Sequence, residues 1–104
     1  MISSNLNYET MFMTDYLVLS RYLTRRSYPL TYERFNFQLS KRELEVIIAL
    51  VRGWHAGEIS DKLKIKQTTV ESYIQNIKDK LGVNLKSELI SMVLEKNLLS
   101  QVYF

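Results

Sequence analysis

Side chains that could bind an anionic partner are concentrated in one part of this 104-residue chain. Between Lys62 and Lys86 there are six lysines and two acids, so positive charges outnumber negative ones by four, whereas the whole chain carries only +3. Lysines in such a cluster give sequence-independent affinity for nucleic-acid phosphates. In isolation the same pattern is also typical of an ordinary solvated surface. The predicted phosphate-binding residues are Lys62, Lys64, Lys66, Thr69, Lys78 and Lys80.

Helices must position these lysines. Ser40-Lys-Arg-Glu43 forms a capping box, in which each end residue can bind the backbone of the other, and it predicts a helix start. Gly53 then predicts a left-handed C-cap. Further helices are predicted by apolar residues at helical spacing and by Gly82. The predicted ranges are about 41–52, about 56–63, a third helix ending at Gly82, and about 86–96.

The second and third predicted helices are joined only by Lys64-Ile65-Lys66, which predicts a helix-turn-helix. The third helix directs Val70, Ile74 and Ile77 to the core, so its other side faces outward. Glutamine and asparagine can pair with adenine in the major groove, and glutamate can accept from cytosine. The predicted base-reading residues are Thr68, Glu71, Ser72, Gln75 and Asn76.

Several motifs match one family in order along the chain from Leu39 to Leu99. Leu39-Ser-Lys-Arg-Glu-Leu-Glu-Val46 and Lys80-Leu81-Gly82-Val83 resemble the opening and the helix exit of the LuxR-type (GerE, FixJ/NarL-type) helix-turn-helix domain. The resemblance implies a four-helix DNA-binding domain of a bacterial transcription regulator. It also implies that a recognition helix of about Thr68–Leu81 reads the major groove and that the fourth helix forms a symmetric dimer.

The recognition helix departs from the best-known family pattern at Glu71 and Gln75, where relatives commonly have Lys or Arg. A carboxylate near phosphates is repelled unless it finds a cytosine amino group. The expected consequence is an altered base specificity. The alternative is a domain that keeps the fold and has lost strong DNA binding.

Three expected helix N-caps lack the family's hydroxyl side chain, because His55, Lys66 and Leu85 stand there. Each missing cap is expected to cost about 1 kcal/mol of stability. Thr68 and Asn84 are expected to act as substitute caps if the helices start at shifted positions.

Residues 1–38 show sequence patterns that differ from those of the helix-turn-helix segment. Apolar residues from Asn7 to Thr24 lie on one side of a helical wheel and predict an amphipathic helix. From Ser27 to Gln38, aromatic and aliphatic residues alternate at period two, and Pro29 excludes a central strand, which leaves an edge ribbon or an extended linker. The predicted fold class is all-α, a four-helix LuxR-type helix-turn-helix domain (39–104) preceded by a helix and extended aromatic segment (1–38) that serves dimerisation or packing.

The predicted function is a DNA-binding transcription regulator whose homodimer binds an inverted repeat in double-stranded DNA. The alternative is a helix-turn-helix look-alike that heterodimerises with, or inhibits, another regulator; Glu71 and the N-terminal aromatic residues favour it. The predicted dimer interface is Leu89, Ile90, Val93, Leu94, Phe12, Tyr16 and Leu19.

The composition argues against other classes of function. There is no cysteine for a disulfide or thiolate metal site, and one histidine cannot support multi-histidine metal chemistry. No nucleophile elbow or phosphate-binding glycine loop occurs, so no enzyme, catalytic residue, cofactor, metal or small-molecule ligand is predicted. The apolar runs are too short for a membrane span, and the expected location is the cytoplasm.

Overall fold

The structure, a computed structural model, describes residues 23–102. The amphipathic helix predicted from Asn7 to Thr24 falls mostly outside the described residues, as do Phe12, Tyr16 and Leu19. The described elements are two strands, four α-helices and a 3₁₀ helix. They are β1 (Ser27–Tyr32), β2 (Phe35–Ser40), α1 (Lys41–Val51), α2 (Ala56–Leu63), α3 (Gln67–Leu81), α4 (Lys86–Glu95) and the 3₁₀ helix Leu98–Gln101.

β1 and β2 form an antiparallel hairpin in which Tyr28 pairs with Leu39 and Leu30 with Phe37. Side chains directly opposite each other share one face of a sheet, so the alternating apolar residues of both strands point to the same side. Tyr28, Leu30 and Leu39 are buried there, while Pro29 is exposed. The all-α prediction is corrected by this sheet. Of the two forms predicted for the segment, an edge ribbon or an extended linker, the structure shows the ribbon, because the period-two pattern buries one face against the helices.

α1 is the central helix of the described fold. The predicted capping box is present: Glu43 N–H donates to Ser40 Oγ (3.1 Å), and Ser40 N–H donates to Glu43 Oε1 (2.8 Å). Residues 43–50 are all buried, which is possible because α1 packs against α3, α4 and both strands. Gly53 follows with φ of +90°, a backbone conformation that favours glycine.

The helix-turn-helix consists of α2, α3 and the connection between them. Lys64 takes a left-handed conformation (φ 56°), and Ile65 N–H donates to Ser60 O (3.1 Å), which closes the end of α2. α3 buries Val70, Ile74 and Ile77, as predicted. It ends at Gly82, whose φ is +70°.

The expectation about substitute caps is wrong. α3 starts at Gln67 with Lys66 as its N-cap, α4 starts at Lys86 with Leu85 as its N-cap, and neither cap side chain binds the helix. The helix starts have therefore not shifted toward Thr68 or Asn84. At α2 the compensation comes from Glu58, whose carboxylate accepts from His55 N–H (2.9 Å).

The C-terminal 3₁₀ helix returns to the hairpin. The Gln101 side-chain amide donates to Thr31 O and accepts from Thr31 N–H, both at 2.8 Å, so it binds the outer edge of β1. Leu98 and Leu99 join the same buried core as Leu30. The predicted domain boundary between 38 and 39 runs through β2, and the hairpin and the helices share one core.

Within residues 23–102, no helix has the length and apolar content needed to cross a membrane.

Candidate nucleic-acid interface

α3 presents a polar side to solvent because its apolar residues are used in the core. The predicted base-reading side chains all lie on α3 and all are exposed. The fold therefore brings them together on one surface, within the span of two to three helical turns. This surface is called the reading face and consists of Thr68, Glu71, Ser72, Gln75 and Asn76.

Side chains of the reading face hydrogen-bond along the helix axis. Gln75 Nε2 donates to Oδ1 of Asp79, one turn further on, at 2.9 Å. Gln67 Nε2 approaches Glu71 Oε1 with the same spacing, at 3.5 Å. Such pairs four residues apart restrict the rotamers of exposed side chains. The sequence predicts Asp79 on this outward side of the helix, whereas Gln67 was not predicted, although its spacing of four residues to Glu71 was visible in the sequence.

Three of the predicted phosphate-binding lysines flank the start of α3. Lys62, Lys64 and Lys66 are exposed at the end of α2 and in the connection. The Lys62 ammonium lies 5.9 Å from the centre of the Trp54 ring, a cation–π distance that leaves the charge near the surface. Thr69, in the first turn of α3, is half-buried. The three lysines provide local positive charge beside the reading face.

The lysines at the other end of α3 are placed differently. The Lys80 ammonium lies 2.6 Å from Glu43 Oε1 and donates to Gln38 O at 2.8 Å. Its charge therefore joins α3 to α1 and β2, while the role of Lys80 as a phosphate ligand stays a prediction. Lys78 Nζ lies 3.4 Å from Asn84 O and is half-buried, so one weak backbone contact is its intramolecular partner in the described residues.

The predicted dimer residues of α4 divide into two groups. Leu89 and Val93 are 0% and 1% exposed and belong to the core. Their prediction as dimer contacts is therefore corrected, because no surface of theirs is left to touch a second chain. Ile90 is half-buried, and Leu94 is 40% exposed.

Burial perturbs one carboxyl group of α1. Glu45 is 3% exposed, and its desolvation raises the pKa of the carboxyl, against the opposing effect of the positive charges of Arg42 and Lys41. Arg42 Nη1 lies 3.6 Å from Glu45 Oε1. This group belongs to the core side of α1, away from the reading face of α3.

Comparison with known proteins agrees with this geometry. The family model described as "Bacterial regulatory proteins, luxR family" matches residues 37–93, more than half of the chain. The chain belongs to this family. The resemblance predicted from the motifs is thereby confirmed, and the matched segment contains α1 to α3, the helix-turn-helix and most of α4. Its fold is that of a luxR-family DNA-binding regulator domain.

The curated relatives of this luxR-family chain include the "Oxygen regulatory protein NreC" of Staphylococcus aureus strains JH9, JH1 and Mu3 / ATCC 700698. Each is 43% identical over 61 residues. That match covers 59% of this chain and 28% of the relative, so the chain spans less than a third of the proteins it resembles. No solved structure matches the chain significantly.

Proposed function

We propose that this luxR-family chain regulates transcription by placing the reading face of α3 in the major groove of double-stranded DNA. The observation that carries the proposal is the exposure of all five predicted base-reading side chains on the second helix of a helix-turn-helix. An α-helix fits the major groove, where the edges of all four base pairs can be distinguished. Gln75 and Asn76 pair with adenine, and Glu71 accepts from cytosine.

Phosphates are bound beside the reading face. Lys62, Lys64 and Lys66 lie at the start of α3 with their charges toward solvent, and the Thr69 hydroxyl and Lys78 add contacts along the same helix. Contacts between lysines and phosphates give affinity that does not depend on the base sequence. They also set the register of the helix on the duplex. The unusual Glu71 therefore redirects specificity while the flanking lysines hold the DNA.

We infer further that the chain acts as a homodimer on an inverted repeat. Leu94 and Ile90 give α4 apolar surface outside the core, and Phe12, Tyr16 and Leu19 are proposed to add to the same interface. A two-fold dimer places two recognition helices about one helical turn of DNA apart, about 34 Å. Residues before β1 are thus proposed to serve the dimer, whereas the hairpin packs in one core with the helices.

The proposal concerns this domain and does not extend to the oxygen regulation in the relatives' name. The matched part of those relatives is 28% of their length. The family model covers residues 37–93, which include the helix-turn-helix. The similarity to the luxR family therefore supports DNA binding and no further activity.

The test is a binding assay with the full 104-residue chain and fluorescent duplexes from a randomised library. We expect duplexes to be retained at about 50 mM salt and their affinity to fall steeply toward about 200 mM, because each neutralised phosphate releases a counterion. Failure to retain any duplex at the lower salt would contradict the proposal. Capture of a full-length regulator instead would favour the inhibitory look-alike.

Sedimentation tests the homodimer. The chain should sediment as a dimer at tens of micromolar, and Leu94→Ser should shift it toward the monomer, because the substitution removes apolar surface from α4. Glu88→Ser, also at an exposed position on α4, is the control and should leave the dimer intact. A monomer that binds a single half-site would contradict the dimer proposal.

A further inference from the structure

Gln75 of the reading face is hydrogen-bonded to an exposed carboxylate one turn further along α3. Gln75 Nε2 donates to Asp79 Oδ1 at 2.9 Å, with both residues on the solvent side of α3. Asp79 takes part in neither of the ion pairs Lys80–Glu43 and Arg42–Glu45. Gln75 is thus the side-chain partner of this carboxylate in the described structure.

Two effects disfavour an aspartate at this position. Asp79 lies in the last turn of α3, where a negative charge opposes the helix macrodipole. On a helix that enters the major groove, the same charge is repelled by the DNA phosphates. The hydrogen bond with Gln75, four residues earlier, stabilises the helix only weakly, so we ask what else the Asp79 side chain contributes.

The chemistry of a glutamine amide shows what Asp79 contributes. An amide carries one acceptor oxygen and two N–H groups, and an unrestrained amide can turn over. In one orientation its oxygen and one N–H match N6 and N7 of adenine; turned over, its N–H groups face the acceptors N7 and O6 of guanine. A free glutamine is therefore a weak discriminator between the two purines.

The hydrogen bond to Asp79 selects one of these orientations. It uses one N–H of Gln75 and leaves the oxygen and the second N–H for a base, the combination that adenine requires. Turning the amide over would place Gln75 Oε1 against the Asp79 carboxylate, where two acceptors face each other without a proton between them. The repulsion between these two acceptors therefore disfavours the amide orientation that would bind guanine.

We propose that Asp79 is a positioning residue that makes Gln75 select adenine over guanine in the major groove. The inference rests on the proposed function, because it concerns how α3 reads a duplex. Gln67 and Glu71 repeat the same amide and carboxylate order two turns earlier, but at 3.5 Å their contact is longer. The inference is therefore drawn for the shorter pair, Gln75 and Asp79.

The experiment begins with duplexes selected by the full chain from a randomised library. Each base pair of the selected site is then replaced singly, and affinities are measured by fluorescence anisotropy. Comparison with Gln75→Ala identifies the base pair that Gln75 reads. There the wild type should bind the A·T duplex about tenfold more tightly than the G·C duplex.

Three single variants and one double variant separate positioning from charge. Asp79→Ala should reduce the A·T over G·C preference to about twofold or less, whereas Asp79→Glu, which keeps a carboxylate acceptor, should retain most of it. Asp61→Asn removes the same charge from an exposed position of α2 and should tighten both duplexes without changing their ratio. In the Gln75→Ala background, Asp79→Ala should leave the ratio unchanged.

The ratio is measured on one protein preparation, so it does not depend on the fraction that is folded. An Asp79→Ala variant that keeps the full preference would overturn the inference while leaving the proposed function intact. The inference would also be overturned, with the proposed function intact, if Gln75→Ala left the A·T over G·C preference unchanged at every adenine of the site. A wild-type chain that retains no duplex would overturn both the proposed function and this inference.

Discussion

The two sides of α3 use similar polar groups in opposite ways. On the side that faces α1 and β2, the ammonium of the exposed Lys80 contacts Glu43 Oε1 at 2.6 Å and Gln38 O at 2.8 Å, and Glu43 is 4% exposed. On the outer side, Gln75 and Asp79 bond to each other and remain exposed. One side fixes the helix to the rest of the fold, and the other keeps its polar groups accessible to a ligand.

The comparison teaches that the position of a charge relative to the core decides its role. Lys80 and Lys66 are both lysines at the ends of α3, yet Lys80 is joined to α1 and β2 while Lys66 is an exposed N-cap without a cap hydrogen bond. A buried carboxylate such as Glu43 requires a partner because desolvation of an unpaired charge is costly. Lys66 takes part in neither of the ion pairs Lys80–Glu43 and Arg42–Glu45, so we expect its charge to be available for phosphates.

The largest expected effect comes from removing the anchor on the core side. Glu43→Ala should lower the free energy of unfolding by about 2–3 kcal/mol, because it deletes the capping box and leaves Lys80 without its carboxylate. Urea unfolding followed by circular dichroism measures the change. Glu58→Ala, which removes the exposed carboxylate that caps His55 N–H, should cost about 0.5–1 kcal/mol. Equal losses in the two variants would contradict the stabilising role given to the pair of Lys80 with the buried Glu43.

The next effect separates the two lysines by their DNA binding. Lys66→Ala should reduce the slope of log affinity against log salt by about one, because one phosphate contact is lost. Lys80→Ala should lower stability and leave that slope unchanged, because its ammonium is used within the protein. Anisotropy titrations over a salt series give both slopes. A larger change in slope for Lys80→Ala than for Lys66→Ala would reverse the assignment.

The smallest effect concerns the second buried carboxyl of α1. Burial raises the pKa of Glu45 above the unfolded value, so the native state binds a proton more readily than the unfolded chain does. The charged form therefore costs stability at neutral pH, and this cost disappears as the pH falls through the raised pKa. Glu45→Gln should stabilise the protein at pH 7 by up to about 1 kcal/mol, with a smaller gain at acid pH. Thermal unfolding at several pH values measures it, and a gain that grows as the pH falls would contradict the sign.

Local patterns predicted the helices well because their determinants are local. The capping box at Ser40 and Glu43 and the glycines at 53 and 82 are short-range signals, and the structure places α1 and α3 where these signals indicate. The hairpin was less predictable. Its period-two pattern was visible, but pairing of Tyr28 with Leu39 depends on the helices that cover one face of the sheet. An extended sequence pattern alone does not show which helices pack against the sheet.

Contacts distant in sequence could not be predicted from spacing. Lys80 was assigned to phosphates because it stands in a lysine cluster, whereas its partner Glu43 lies 37 residues earlier. On α4 the apolar residues spread around the helix, so the pattern could not separate core residues such as Leu89 from exposed ones such as Leu94. The composition of the reading face was predictable, because the apolar spacing of α3 leaves only one side outward.

The most direct test of the account is a nuclear magnetic resonance titration of the isotope-labelled 104-residue chain with a selected duplex. We expect backbone amide and side-chain signals of Thr68, Ser72, Gln75 and Asn76 to shift together with those of Lys64 and Lys66, while signals of β1 and of Gln101 remain in place. That result would locate the duplex on the outer side of α3. Shifts confined to the hairpin and the C-terminal 3₁₀ helix, with the reading face unchanged, would contradict the central claim.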